Sequence, residues 1–171
     1  LHTADWKIDH DPVVGVAWSF KRLRALCRGR VDAVICDSTN ALHAGHSSSE
    51  GEVAEGLKRV IASRTGRVVV GCFSSNIARV TTLSEIAAIT GRYFGLFGRA
   101  LIDMVNCARG TQLLPSFFRP IRADHLGYLP PREVLGIATG SQGEFGAALH
   151  RLMTDTHPSL SLDSGDTVIL S

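Results

Sequence analysis

Five short apolar runs constrain this chain more than any other feature. They are VDAVICDS (31–38), RVVVGCFS (67–74), RYFGLFG (92–98), EVLGIATGS (133–141) and DTVILS (166–171). Each is apolar through its middle rather than at alternate positions, and most end in small or polar residues. A strand with one wet face alternates apolar and polar side chains. A strand covered on both faces does not, and that is the habit of parallel sheets sandwiched by helices. The segments between the runs carry helical signals. Residues 47–64 hold two capping boxes, Ser47 with Glu50 and Ser49 with Glu52, ahead of apolar positions Val53, Leu57, Val60 and Ile61. The spacing predicts further helices over 76–91, ending at Gly91, over 98–110, ending at Gly110, and over 143–157, stopped before Pro158. Residues 111–132, with Pro115, Pro120, Pro130 and Pro131, read as a long connection over the surface. The alternation predicts an α/β fold: a mainly parallel sheet flanked by helices.

Composition supports a folded domain and narrows its class. Of 171 residues, 44% are hydrophobic and 20% charged, enough apolar area for a core and too much for a disordered chain. The net charge of +2 is too small to mark a nucleic-acid binder by itself. No apolar run approaches the ~18 residues of a membrane helix, and no signal peptide is visible. The first residues, LHTADWKID, begin in mid-pattern without a Met, as expected of a piece of a larger protein. Cys27, Cys36, Cys72 and Cys107 form no CxxC pair, and Cys36 and Cys72 sit inside apolar runs. They read as reduced thiols, two of them core residues, in a cytoplasmic protein.

Ligands of parallel α/β sheets bind beyond the carboxyl ends of the strands. Four such ends here are rich in small polar residues: DSTN (37–40), CFSSN (72–76), FGR (97–99) and TGSQGE (139–144). With helices following, they make an edge suited to phosphate groups. Singly, each is also an ordinary turn with a helix cap.

Taken in order, HTADWKID, DSTNALHAGHSSSE, CFSSNIARV, GRA, GYLPPREV, TGSQGEFGAAL and GDTVILS resemble the RNase J family over nearly the whole chain. That family belongs to the metallo-β-lactamase superfamily and carries a Rossmann-like β-CASP domain. The resemblance implies that residues 1–46 are the C-terminal part of the first lactamase segment and 47–171 the β-CASP domain. It implies a ribonuclease with 5′→3′ exonuclease and endonuclease activities and two zinc ions in the full-length parent. Most of the zinc ligands would be absent from these 171 residues, leaving them metal-free and inactive alone. It also implies RNA, with a 5′-monophosphate end, as substrate, a homo-oligomeric parent and no membrane association.

The resemblance assigns residues as well. Asp5 matches a metal-bridging acid, a carboxylate able to offer one oxygen to each cation. Asp37 matches a catalytic acid beside the metals, supporting a histidine ligand or assisting proton transfer. Ser75 matches a serine that binds the 5′-phosphate, and it is equally suited to cap the helix that follows. Ser141 and Gln142 lie in a glycine-rich turn that RNA backbone approaches. Three positions depart from the family: Ala4 stands for Gly, Ser74 for Ala, and Phe145 for Pro. The basic run 21–30 reads as a solvated helix face, and His43 and His46, in a Gly/Ser loop, as no metal pair. His2, His10, His125, His150 and His157 show no partner pattern. Without the resemblance, a non-catalytic nucleotide- or phosphate-binding module remains open, although no GxGxxG follows a first strand. A degenerate relative that has lost activity also remains open.

Overall fold

A computed structural model describes all residues, 1–171. Its contacts divide the chain into two compact units, Leu1–Val53 and Ala54–Ser171.

In the first unit, helix α1 (Phe20–Leu26) starts at Ser19, whose Oγ accepts the Arg22 N–H at 3.3 Å. None of its residues is buried, so the basic run 21–30 is a solvated face. Helix α2 (Glu50–Ala62) begins in this unit with one of the two anticipated capping boxes. The Glu52 N–H donates to Ser49 Oγ and the Ser49 N–H to Glu52 Oε2, each at 3.0 Å. At the other anticipated box, the Glu50 N–H donates to Asp9 Oδ2 instead, at 2.9 Å. That bond, ahead of the remaining causes, holds the Asp9 carboxyl below its ordinary pKa.

The strand expected over 31–38 does not form. A single bridge, His2 with Ile35, ties this run to the first residues. The Leu1 amino group donates to Ala33 O at 2.8 Å, the Ile35 N–H to Leu1 O at 2.8 Å, and the Thr3 N–H to Ile35 O at 3.0 Å. A strand needs a continuous ladder with at least one neighbour, and this run has only the single bridge. Val34 and Ile35 are accordingly 57% and 63% exposed, and Cys36 is exposed rather than a core residue.

The second unit holds the predicted parallel sheet. Its strands are β1 (Val68–Gly71), β2 (Tyr93–Phe97), β3 (Val134–Ala138) and β4 (Thr167–Leu170), in the order β2-β3-β1-β4 with every pair parallel. Val68, Val69, Val70, Leu135 and Ile137 have no exposed surface, as runs without alternation require. Leu57 and Ile61 of α2 are buried here too. Helix α3 (Ile77–Thr90) ends at Gly91, whose φ of 68° is the left-handed cap expected there. Helix α4 (Arg99–Gly110) ends at Gly110 as expected, with Thr111 rather than the glycine as its cap.

One expectation is corrected and one refined. Helix α5 spans only Ala148–Met153, not 143–157. Gly143 and Gly146 have φ of 78° and 76°, so the chain turns before the helix starts, and Asp155 at φ 55° turns it again afterwards. Residues 111–132 run mostly over the surface, as expected, but are anchored to the sheet. Ile121 bridges Gly95, and a 3-10 helix over Ala123–Tyr128 buries Leu126 completely. Phe118 stacks edge-on against Phe94 with centroids 5.1 Å apart.

Candidate functional site

The site residues fall into two groups, one in each unit. In the first unit the residue 1–3 and 33–35 segments run side by side, and the Trp6 indole N–H donates to the Asp37 carbonyl at 2.9 Å. Asp5, next to Trp6, and Asp37 therefore lie at the same end of the paired segments. Asp5 is exposed and makes no hydrogen bond. The Asp37 Oδ1 accepts two bonds from Thr39, from its hydroxyl at 2.5 Å and its N–H at 2.9 Å. The hydroxyl first, then the N–H, lowers the Asp37 pKa below its ordinary value. Its Oδ2 is left for another donor. Ala4 takes a φ of 53°, the left-handed backbone where the family has glycine.

In the second unit the sheet's carboxyl edge is built in register. The Cys72 N–H donates to Ala138 O at 2.9 Å, the Thr139 N–H to Phe97 O at 3.1 Å, and the Ser171 N–H to Gly71 O at 2.9 Å. The loops after β1, β2 and β3, and Ser171 after β4, therefore leave from one line. After β1, the helix cap is Asn76, not Ser75: the Asn76 side chain accepts the Arg79 N–H at 2.9 Å. Ser75 stays exposed, and its hydroxyl makes no hydrogen bond. Capping thus leaves that hydroxyl available. Arg79, one turn into α3, is only 7% exposed and donates to the Ser171 hydroxyl.

After β3 the chain turns tightly, the Gly143 N–H donating to Gly140 O at 3.2 Å. Ser141 is half-buried there, and its Cα would lie 3.4 Å from a Cβ at Gly71, so the loops after β1 and β3 touch. Gln142 is exposed, and its N–H donates to the Glu144 Oε2 at 2.9 Å. After β2 comes Gly98, with φ 113°; a Cβ there would sit 2.3 Å from Thr139 Oγ1. Beside it opens a cleft of about 490 Å³ lined by Arg99, Thr139, Ala147, Arg151 and His157. Of these, sequence reasoning passed over Arg151 and His157, which lie 12 and 18 residues past Thr139 and are brought back only by the course of α5.

The structure brings Ser75, Ser141 and Gln142 to one edge, and Asp5 and Asp37 to one end of the paired segments. No three His, Cys, Asp or Glu side chains converge in the chain. Cys72 is buried, and burial pushes its thiol up to about 11, which removes it as a ligand or nucleophile.

An all-parallel sheet flanked by helices, with its polar loops gathered at the carboxyl edge, is the architecture of the β-CASP domain in the metallo-β-lactamase superfamily. Residues 65–171 match the family model for the Ribonuclease J beta-CASP domain, and the chain belongs to that family. All of it aligns with curated Ribonuclease J proteins. It is 39% identical to that of Sinorhizobium meliloti over 171 residues, 40% to that of Mycolicibacterium smegmatis over 174, and 35% to that of Thermus thermophilus over 171. The chain spans about 30% of the length of these relatives.

Proposed function

We propose that these residues are part of a zinc-dependent ribonuclease that hydrolyses RNA phosphodiesters in cytoplasmic RNA processing and decay. The observation that carries this reading is the whole-chain similarity to proteins named Ribonuclease J. Asp5 is one ligand of a metal centre that residues outside this chain complete. Asp37 is the acid beside it, held charged by Thr39 with Oδ2 left to a neighbouring donor such as a histidine N–H. Ser75, with its hydroxyl unspent on capping, and the Ser141–Gln142 turn receive the RNA, including a 5′-monophosphate end. In this reading residues 1–46 belong to the first lactamase segment and 47–171 to the β-CASP domain, and the parent is a homo-oligomer. The exposed Val34 and Ile35 support it, since further lactamase strands would cover them.

The test is a cleavage assay on the full-length parent with 5′-monophosphorylated and 5′-hydroxyl RNA. Asp37→Asn is expected to lower kcat about 100-fold. Ser75→Ala is expected to reduce the preference for the 5′-monophosphate. The 171-residue chain alone is expected to show no zinc-dependent cleavage. Full activity in the Asp37 variant, or cleavage by this chain alone, overturns the assignment.

A further inference from the structure

We propose that Phe145 and the Arg99–Arg151–His157 cleft form a nucleotide subsite, in which the Phe145 ring stacks on a base of single-stranded RNA and the cleft binds the adjoining phosphate. This deepens the function proposed above and rests on it for the identity of the ligand.

Three features carry the inference. First, Phe145 is 91% exposed on the loop between β3 and α5. An apolar ring left in water gains nothing from folding, and its one ring contact is with His150, at 4.8 Å between centroids. Gly143 and Gly146 flank it with positive φ, so the turn lifts the ring off the surface. The next residues along the chain, Gly146 and Ala147, line the cleft, so Phe145 stands at its rim in sequence.

Second, the cleft is furnished for an anion. The exposed Arg99 guanidinium makes no hydrogen bond or ion pair within the chain. Arg151 spends one donor on Thr156 O, at 3.3 Å, and keeps the rest. His157 Nδ1 accepts the Ser159 N–H at 3.2 Å, which places the neutral ring's proton on Nε2 as a further donor. Burial, then Arg151, lowers the His157 pKa, so this neutral form holds at neutral pH. The loop's acid, Glu144, is occupied with the Gln142 N–H.

Third, the pieces match one ligand chemistry. A stacking ring beside unpaired guanidinium groups is how single-stranded nucleic acid is held without reading sequence. An apolar protein partner would satisfy Phe145 but leave the cations beside it buried and unpaired.

The experiment titrates the 171-residue chain with a 5′-hydroxyl oligoadenylate, with AMP and with inorganic phosphate. It uses fluorescence anisotropy and the ¹⁵N resonances of the His157 ring. Phe145→Ala is expected to weaken oligonucleotide binding about tenfold. Phe145→Trp should retain it and add fluorescence quenching on binding. Arg99→Gln should weaken it about fivefold and lower the salt slope by about 0.7. Arg109→Gln, an equal charge loss at the far end of α4, should stay within about twofold. AMP shifting His157 as RNA does supports the subsite, and RNA binding ten times tighter than AMP identifies the polymer as its ligand. If Phe145→Ala and Arg99→Gln bind RNA like the wild type, the subsite is overturned while the ribonuclease reading stands. If the chain binds neither RNA nor AMP, the subsite is overturned and the parent's cleavage assay decides the rest. AMP or phosphate bound there without RNA keeps the cleft but refutes its assignment to RNA.

Discussion

Arg92 is the residue whose loss should most clearly separate hydrogen-bond accounting from simple burial. It is 7% exposed, one residue before β2, and it gathers the amino edge of the sheet. Its guanidinium donates to three backbone carbonyls: Gly66 O at 3.0 Å, Val134 O at 2.9 Å and Arg64 O at 2.6 Å. Burial lowers its pKa, the sign of a desolvation cost, yet the group stays cationic at any working pH. Arg92→Met keeps the apolar stem and removes all three donors. The Val134 bond is buried, so its carbonyl loses its partner outright, at about 1–3 kcal/mol. The other two bonds are part-buried and border a cleft of about 540 Å³, from which water can replace the donor, at about 0.5–1 kcal/mol each. Relief of the buried charge returns part of this. The net expectation is a loss of about 2–3 kcal/mol, a large share of a typical domain's 5–15. It should appear as a fall in Tm of about 5–9 °C by circular dichroism, with a matching drop in urea midpoint at unchanged m. Arg92→Lys, able to reach only some of the carbonyls, should fall between. A Met variant within 1 kcal/mol of the wild type refutes the argument, because the carbonyls would then be satisfied without the guanidinium.

Three further outcomes follow from the same geometry. Under native conditions at pH 8, thiol labelling should modify the exposed Cys36 and Cys107 readily and Cys72 only as fast as the protein unfolds, because burial holds that thiol neutral; rapid labelling of all four refutes this. Gly98→Ala should cost about 2–3 kcal/mol in thermal or urea melts, since φ 113° and the 2.3 Å approach to Thr139 Oγ1 leave no room for a methyl group; a neutral result would mean that the turn relaxes freely. Thr39→Val should raise the Asp37 pKa toward its ordinary value in a carboxyl NMR titration, the Thr39 hydroxyl being the largest cause of its depression. The depressed pKa means that the native state binds fewer protons than the unfolded one. The stabilisation is therefore present above the ordinary carboxylate pKa and lost as pH falls through the folded value. An unchanged titration would refute the hydroxyl's role.

What was legible in the sequence was whatever local chemistry decides. β1 and β3 read directly from VVVG and VLGIA, because covered parallel strands leave no alternation to confuse. Gly91 read as a cap because only a left-handed residue closes that helix turn. Other features were set by competition between neighbours. Ser75 and Asn76 can both cap a helix, and the amide won by reaching the Arg79 N–H. α5 was overestimated because two glycines inside a helical pattern read as tolerated until their positive φ is seen. Residues 111–132 are mostly exposed, as their prolines suggest, but prolines mark broken hydrogen bonding rather than exposure, and Leu126 and Phe118 are buried.

Residues 31–38 show most sharply where sequence reading runs out. The run is as apolar as 67–71, yet one becomes a strand and the other does not. The difference lies in the length of the pairing: β1 runs four residues in register with β3 and with β4, whereas 31–38 has only the single bridge to His2. A strand is a property of at least two segments, and periodicity sees one. The same division applies to Asp37. Its turn with Thr39 is local and follows from DSTN, an Asx turn that any such strand end could make. Its chemistry is not local, for a carboxylate with one oxygen satisfied does nothing until a second group approaches the other. In the proposed reading the turn and the site are one device: Thr39 holds Oδ1, fixes the rotamer and keeps the charge, and Oδ2 is presented to a partner from the rest of the parent. Thr39→Val in that parent should therefore lower kcat less than Asp37→Asn but in the same direction, with KM for RNA little changed. A Thr39 variant that raised KM alone would make the turn part of RNA binding and detach it from the acid's role.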